Sequence, residues 1–412
     1  YIAGAMGQGG RGAYVLAISG KDRAAATPVG LDNHESNWAN TVPMWETPKG
    51  QNNQLGYTVS TPQFAQVATK LTGDVKDKTQ GVRQLLFLAN GYDAPAKVLT
   101  APTLYIYDAL GQDMAKQAPT VKTGNAAGSL VKTIPVKDGL KGLSTPTLVD
   151  IDADNLADVA YAGDQGGNLY RFDLRGDVDS WTAHKIYNGK PSQPITAAPA
   201  VYKESSDSYM VIVGTGSDIY QKDLEDKSQQ VVLGIRDKLT EKTPKPIEQS
   251  QLVEQKILGT TGTSGTGGDK KTLRYLTRKI VADGSPGWML TLGSDGERVV
   301  TQASVINRTA VFTSRVYTTK KSSSAPTTSS QSNNAYSCKI NKTSTKSEST
   351  GWLFAVDVKT GSNPLEGSAY FKDLGEQSKT SFNAGEKEAI EGDEALKVAA
   401  LQIDGLSSGA TL

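Results

Sequence analysis

Cysteine, histidine and net charge are all scarce in this chain of 412 residues. The single cysteine, Cys338, excludes an internal disulfide and a zinc site built from four thiolates. We interpret the two histidines, His34 and His184, as ordinary solvated side chains, which disfavours hydrolases that need a positioned imidazole. The 44 basic and 43 acidic residues leave a net charge of +1, so no overall field gathers nucleic acid or anionic membrane.

Long apolar runs are also missing, since no stretch reaches the roughly 18 apolar residues that a membrane-spanning helix needs. The sequence therefore predicts no membrane-spanning segment. Turn-forming residues are plentiful instead, with 42 glycines and 17 prolines, which favours short strands joined by many turns. Both ends of the sequence lie in or next to strand-like runs, so we expect a piece of a longer protein.

Internal repeats are the main organisational signal. Runs rich in aromatic and β-branched residues recur next to Gly, and most end in Asp: residues 12–17, 104–108, 168–173, 232–237 and 352–357. Two further apolar strands precede several of these runs, as at residues 144–149 and 159–163, and a fourth follows some, as at residues 183–187. Four antiparallel strands per repeat predict an all-β fold, a β-propeller.

We interpret residues 1–412 as a single β-propeller domain that contains two flexible insertions. Residues 259–271 are rich in Gly, Thr and Ser, and residues 318–350 are rich in Ser and Thr. Neither segment carries enough apolar surface to offset the entropy of ordering it. Residues 384–400 combine Glu and Lys with Ala and Leu at helical spacing, which predicts a short amphipathic helix near the C-terminal end.

An acidic stretch at residues 150–158 is the most specific candidate site. Carboxylates stand at its first, third, fifth and ninth positions, and a main-chain carbonyl at the seventh adds an oxygen: Asp150, Asp152, Asp154, Asp158 and Leu156. Such hard oxygen ligands suit Ca²⁺, which takes about six to eight oxygens, whereas Mg²⁺ demands a stricter octahedron. The alternative is a solvated acidic hairpin, but four crowded carboxylates repel one another without a cation. We therefore expect Ca²⁺ as the cofactor.

Two positions depart from the calcium loop of helix-loop-helix proteins. The sixth position, usually Gly because the turn needs positive φ, is Asn155, a residue that tolerates this conformation. The twelfth is Tyr161 in place of a bidentate Glu, and strand-like residues flank the loop. Water or a neighbouring side chain such as Asp164 is then needed to complete the shell.

Two weaker motifs have structural interpretations that we favour. Arg175, Gly176 and Asp177 form a candidate receptor-binding tripeptide of the integrin type, but a Gly-Asp turn is also ordinary hairpin chemistry. Residues 352–361 resemble the repeat of quinone-dependent dehydrogenases, whose cofactor lies against a ring of adjacent cysteines that one cysteine cannot form. This motif is expected to join blades through Gly turns and aromatic packing.

In combination and order, the motifs resemble the C-terminal domain of the PilC/PilY family of type IV pilus proteins. The matching segments are residues 7–14, 44–46, 55–58, 142–158, 162–164, 167–174, 194–199 and 214–216. The resemblance covers most of residues 1–361. It implies a modified seven-bladed propeller, of which this chain holds five or six blades, at the bacterial cell surface, pilus tip or outer membrane.

The same resemblance implies a function. Family members promote pilus assembly, oppose retraction and mediate adhesion to host cells, and thereby virulence. Their partners are pilins or minor pilins and a host-cell receptor. The resemblance implies calcium binding at Asp150, Asp152, Asp154, Leu156 and Asp158, with no catalytic residue and no enzymatic activity. Two alternatives stay open: a propeller enzyme, either a quinone-dependent dehydrogenase or a glycan hydrolase, and a structural platform in which calcium only rigidifies one blade.

Overall fold

The computed structural model describes residues 1–16, 44–48, 54–72, 75–93, 101–115, 121–122, 126–263, 271–293, 295–321, 345–363, 376–377, 396–397 and 400–404. Strands account for nearly all regular structure there. The helical segments of this part are short 3₁₀ turns at Gly7–Gly9, Val178–Ser180, Gln221–Glu225 and Gln249–Gln251. Within the same residues, none of the helices has the length and apolar character to cross a bilayer. The all-β fold that the repeats predict is confirmed.

The strands form successive sheets, which we call blades 1 to 5. Blade 1 has three antiparallel strands, β1 (Ile2–Ala5), β2 (Ala13–Leu16) and β3 (Met44–Glu46). The next strands are β4 (Gln63–Ala68), β5 (Leu71–Thr72), β6 (Val75–Lys76), β7 (Val82–Ala89), β8 (Thr103–Asp113), β9 (Val121–Lys122) and β10 (Leu130–Pro135). Blade 2 is the antiparallel sheet β4-β7-β8-β10, with β9 on the end of β8, whereas β5 and β6 pair with each other as a separate hairpin.

Blade 3 is the antiparallel sheet of β11 (Thr147–Val149), β12 (Val159–Gly163), β13 (Leu169–Asp173) and β14 (Thr182–Asn188). Then follow β15 (Ala200–Lys203), β16 (Ser208–Gly214), β17 (Val231–Lys238), β18 (Ile247–Glu248), β19 (Val253–Thr263), β20 (Lys271–Leu276) and β21 (Gly287–Thr291). Blade 4 consists of β15, β16, β17 and β21, and β18 adds to blade 3 by pairing in parallel with β14.

Blade 5 combines β22 (Ser304–Ile306), β23 (Thr309–Lys321), β24 (Thr345–Asp357) and β27 (Ala400–Asp404). The short strands β25 (Glu376–Gln377) and β26 (Leu396–Lys397) pair with each other. Four of the blades therefore have the four antiparallel strands that the repeat predicts.

Burial on both faces explains why the middle strands read as unbroken apolar runs. In β12, Val159 and Tyr161 pack into a core shared with blade 4, whereas Ala160 and Ala162 pack into one shared with blade 2. Successive side chains of a strand point to opposite faces, so a strand between two neighbours is apolar throughout. Such cores join each consecutive pair of blades.

The first strands of blades 2 to 5 define the centre of the array. β4 contacts β11, β11 contacts β15, and β15 contacts β22. Each later strand of a blade lies further out, as its pairing order requires. The blades are thus arranged as in a β-propeller.

The Asp residues that end the repeated runs have a local structural role. The Oδ1 atoms of Asp108, Asp173 and Asp357 each accept a hydrogen bond from the backbone amide two residues ahead, at 3.2, 3.1 and 3.0 Å. This Asx turn lies where β13 and β24 end, whereas at Asp108 it accompanies an irregularity within β8. Asp237 differs, because its carboxylate lies in the core and pairs with Arg171 at 2.9 Å.

Residues 352–361 join blades 4 and 5, as the structural interpretation expects. Trp288 of β21 is fully buried, and its Nε1–H donates to the carbonyl of Val358 at 2.9 Å. Gly361, at φ +68°, lies against the Trp288 ring, and a Cβ there would overlap it. Only a residue without a side chain allows this close approach.

The two predicted insertions are partly ordered strand, which corrects the sequence-based expectation. Residues 259–263 and 271 belong to β19 and β20, and residues 318–321 and 345–350 belong to β23 and β24. β19 pairs in parallel with β21 and β20 pairs with β27, so blades 4 and 5 share one ten-stranded sheet. These residues form strands because their backbone pairs with strands that are distant in sequence, and the local side-chain pattern does not indicate this pairing. Residues 264–270 and 322–344 lie outside the described residues.

The helix predicted at residues 384–400 is wrong wherever the structure describes that segment. Leu396–Lys397 forms β26 and Ala400 begins β27, because both pair with other strands. Most of the remainder, together with His34 and Cys338, lies outside the described residues.

Candidate metal centre

The acidic loop connects β11 to β12 in blade 3. It is closed at its base by a hydrogen bond from the Asp158 amide to the carbonyl of Val149, at 2.9 Å. Two of its residues adopt the left-handed conformation, Ala153 at φ +61° and Asn155 at φ +67°. The expectation that Asn155 serves the turn usually made by Gly is confirmed.

Two of the loop carboxylates also hold the loop in shape. Asp150 accepts hydrogen bonds from the amides of Asp154 at 3.2 Å and Asn155 at 2.7 Å. The Oδ2 atom of Asp158 accepts from the amide of Ile151 at 2.8 Å. These bonds turn the carboxylates toward the inside of the loop.

Three of the four predicted carboxylates converge. Asp150, Asp152 and Asp158 each offer an oxygen within 4.8 Å of the oxygens of the other two, a separation that one cation can bridge. Asp158 is buried, Asp150 is half-buried and Asp152 is exposed. Asp154 is not part of this group, and its Oδ2 atom lies 2.9 Å from the ammonium of Lys78.

Leu156, the predicted carbonyl ligand, anchors the loop to blade 2. Its side chain is buried against Ala68, Val82 and Ala115. Next to it, the amide of Ala157 donates to a carbonyl of β4 at 2.8 Å. The carbonyl of Leu156 therefore belongs to a stretch of backbone that both side-chain packing and hydrogen bonding hold in place.

Blade 4 supports the loop from its other side. Lys203 donates from its ammonium to the carbonyl of Ile151 at 2.7 Å, and the Tyr209 hydroxyl donates to the same atom at 3.4 Å. The loop thus lies where three blades meet, and a change in its shape acts on both neighbours of blade 3.

Lys76, from β6, stands among the carboxylates. Its Nζ atom forms an ion pair with Asp158 and lies 3.1 Å from Asp154 and 3.6 Å from Asp152. Sequence reasoning missed this residue, because two lysines in a polar turn, at positions 76 and 78, are the only local signal. The contact joins residues that are distant along the chain, so only the packing of blade 2 on blade 3 reveals it.

The charges in the site depend on one another. Burial raises the pKa of Asp158, and the hydrogen bond and charge of Lys76 offset this only in part. For Lys76, burial acts against the charged form, but Asp158 and Asp154 outweigh it and the pKa is raised. Burial also acts to raise the pKa of Asp154, but hydrogen bonds, that from Lys78 first among them, lower it overall. The site therefore favours a positive charge next to its carboxylates.

The donor set fits a hard divalent cation. All the converging side-chain atoms are carboxylate oxygens, the ligand type that Ca²⁺ prefers. The buried Oδ1 atom of Asp158 is held against the positive charge of the Lys76 ammonium. Asp150, Asp152 and Asp158 are the residues that would hold the ion.

Asp164 and Tyr161 have other roles, so the expectation that Asp164 completes the shell is wrong. Asp164 is fully buried and accepts hydrogen bonds from the amides of Leu140 and Asn168, both at 2.9 Å, in the turn that leads to β13. The Tyr161 hydroxyl donates to Asp237 at 2.7 Å in the core between blades 3 and 4.

The Arg175-Gly176-Asp177 tripeptide forms a turn whose arginine is engaged within the chain. The guanidinium of Arg175 donates to Asp173 at 2.9 and 2.5 Å and to a main-chain carbonyl at 3.3 Å. Asp177 is exposed, and its carbonyl accepts from Ser180. This geometry supports the turn interpretation, while a receptor-binding role stays a prediction.

Known proteins provide an independent comparison. "Type IV pilus biogenesis factor PilY1" of Pseudomonas aeruginosa is 28% identical over 329 residues, which cover 69% of this chain and 24% of the relative. A "Type IV pilus biogenesis factor PilY1 homolog" of Xylella fastidiosa is 24% identical over 266 residues, which cover 57% of this chain and 15% of the relative. The chain thus spans a quarter or less of the length of these relatives.

A solved structure supports the fold. The crystal structure of the Pseudomonas aeruginosa PilY1 C-terminal domain matches with a TM-score of 0.66 at 20% identity, covering 98% of this chain and 74% of that one. A family model described as the PilY1 beta-propeller domain matches residues 1–258, which is more than half of the sequence. The chain therefore belongs to the PilY1 β-propeller domain family.

Proposed function

We propose that this domain is a calcium-binding, non-enzymatic part of a type IV pilus-associated protein. The observation that carries the proposal is the convergence of Asp150, Asp152 and Asp158 within 4.8 Å, in a loop that lies against two neighbouring blades. Three carboxylates at this separation repel one another unless a cation lies between them. The order of the ligands along the chain is that of a calcium loop.

Calcium binding here acts on the junction of three blades. Asp150 and Asp158 already hold the loop through hydrogen bonds to its own amides, and Leu156 anchors it to blade 2. A ligand that binds only this folded form stabilises it by about 2.7 kcal/mol at about 100 times its dissociation constant. The loop then presents one fixed shape to partners instead of several.

The proposed biological role is pilus biogenesis at the bacterial surface. The relatives named as type IV pilus biogenesis factors support this role, and pilins or minor pilins are the proposed partners. By the resemblance noted in the sequence, we extend the proposal to resistance against pilus retraction, to host-cell adhesion and to a position at the pilus tip or outer membrane.

Titration calorimetry of the metal-stripped 412-residue chain with calcium chloride tests the binding step. We expect one calcium site, much weaker binding of Mg²⁺, and loss of calcium binding in Asp152→Ala and Asp158→Ala. The matched control is Asp207→Asn, since Asp207 is an exposed carboxylate of the same cavity that lies outside the loop. Calcium binding that survives Asp158→Ala, or fails in the unaltered chain, contradicts the site.

A cellular experiment tests the biological role. Cells that carry Asp158→Ala in the full-length protein should display fewer pili, or pili that retract more readily, than cells with Asp207→Asn. If calcium raises the melting temperature of the domain but pilus display and host-cell binding are unchanged in Asp158→Ala, the structural-platform alternative replaces this proposal.

A further inference from the structure

The ammonium group of Lys76 stands inside the acidic loop. It contacts Asp152, Asp154 and Asp158. Its side chain is only 15% exposed, although it comes from the β5–β6 hairpin next to blade 2. A lysine in this position already supplies part of what a bound cation supplies, because it neutralises several carboxylates at close range.

Lys76 and a metal ion require the same carboxylate groups. Asp152 and Asp158 belong both to the converging carboxylates and to the ion pairs of Lys76. The side chain of Asp158 is 3% exposed, and its Oδ1 atom lies against the ammonium of Lys76. Two cations at the same carboxylates repel each other, so a metal ion and Lys76 exclude one another there.

We infer that Lys76 is a tethered competitor of Ca²⁺: it fills the cation position of the metal-free loop and leaves when Ca²⁺ binds. This inference rests on the proposed calcium site and adds regulation to it. A covalently held competitor acts at high effective concentration, whatever the concentration of protein. The apparent calcium affinity is therefore the intrinsic affinity multiplied by the fraction of time for which the loop is free of the lysine.

The surroundings allow Lys76 to leave without disturbing a core. β5 and β6 form a two-stranded sheet of their own, so a shift of this hairpin breaks no pairing within blade 2. Lys76, Lys78 and Asp152 line a cavity of about 1030 Å³ that is open to the surface. The released ammonium enters this space. Calcium binding in blade 3 thereby moves the β5–β6 hairpin next to blade 2.

Calorimetry with calcium chloride on the metal-stripped chain compares Lys76→Met with the unaltered protein and with Lys78→Met. Lys78 is the matched control, since it lies beside the same hairpin, pairs with Asp154 and is 52% exposed. We expect Lys76→Met to bind Ca²⁺ about tenfold more tightly or better. Lys78→Met should change the affinity by less than about fivefold, because its ammonium is half-exposed and its partner Asp154 lies outside the converging carboxylates. An unchanged or weakened affinity in Lys76→Met overturns the inference alone, whereas absence of calcium binding in all three proteins overturns the calcium site as well.

Lysine acetylation of the unaltered chain, followed by mass spectrometry, tests the inference without any substitution. Saturating calcium chloride should increase the labelling of Lys76 and leave that of the exposed Lys137 unchanged. Equal or lower labelling of Lys76 in the presence of calcium contradicts its release.

Discussion

Asn155 decides whether the acidic loop can close. Its φ of +67° lies in the left-handed region, where a side chain branched at Cβ is strained. The side chain is exposed, so a substitution there acts on the backbone and not on a core. The loop shape that brings the carboxylates together therefore depends in part on position 155 holding a residue, such as Asn or Gly, that tolerates a positive φ.

Replacing Asn155 tests this dependence. Asn155→Val should lower the free energy of unfolding by about 1–2 kcal/mol and weaken calcium binding, because it disfavours the left-handed turn. Asn155→Gly, the matched control, should retain calcium affinity and change stability by a few tenths of a kcal/mol. Urea unfolding and calorimetry measure the two effects. Equal stability of the Val and Gly variants would show that the turn is not constrained in this way.

At the scale of strands and turns, close packing between blades explains the repeated Gly-containing motif. Trp288 fills the space between blades 4 and 5, and Gly361 meets its ring at φ +68°. Gly284 has a similar φ of +80°, but a Cβ there would meet nothing within 4 Å. Both glycines therefore adopt a positive φ, but of the two Gly361 alone is also packed against a neighbouring side chain.

Alanine substitution separates these two contributions. Gly284→Ala should cost about 1–2 kcal/mol, since it adds only left-handed strain. Gly361→Ala should cost about 1–3 kcal/mol more, because its Cβ also displaces the Trp288 ring. Denaturant unfolding gives both values, and equal losses in the two variants would exclude a packing role for Gly361.

An ion pair joins the β15–β16 turn to β17. The guanidinium of Arg236 donates to both oxygens of Glu204, at 2.6 and 3.0 Å, and both side chains are largely buried. Burial acts to raise the pKa of Glu204, but Arg236 outweighs it and holds the pKa below its ordinary value. A depressed carboxylate pKa stabilises the fold above the unfolded-state pKa, and this contribution is lost as the pH falls through the folded-state value.

Glu204→Gln should therefore lower the free energy of unfolding at neutral pH. The difference in this free energy between the variant and the unaltered chain should become smaller as the pH falls from about 5 toward 3. Urea unfolding across this range measures the difference, with the exposed Glu225→Gln as control. A stability difference that stays constant with pH would show that the ion pair does not carry the effect.

For the whole molecule, the sequence predicted middle strands of the blades because their burial is two-sided. The run at residues 159–163 is apolar throughout and lies between two blade cores. The acidic loop could also be predicted, since its carboxylates are close together along the chain. Local sequence is sufficient to predict features that are formed by residues close together along the chain.

Long-range contacts could not be predicted from the sequence in the same way. Lys76 reaches Asp158 only because blade 2 packs against blade 3, and no spacing rule connects the two residues. The strand β19 runs into a segment rich in Gly and Thr that resembles a loop, yet it pairs in parallel with β21 and helps to merge blades 4 and 5. Both features depend on backbone and charge partners that are distant in sequence.

The most direct test of the calcium site is a crystal structure of the 412-residue chain grown with calcium chloride. The account predicts an electron-density peak about 2.3–2.6 Å from oxygens of Asp150, Asp152 and Asp158, with the ammonium of Lys76 moved away from Asp158. Calcium-saturated crystals in which Lys76 still pairs with Asp158 and no peak lies between the carboxylates would contradict it.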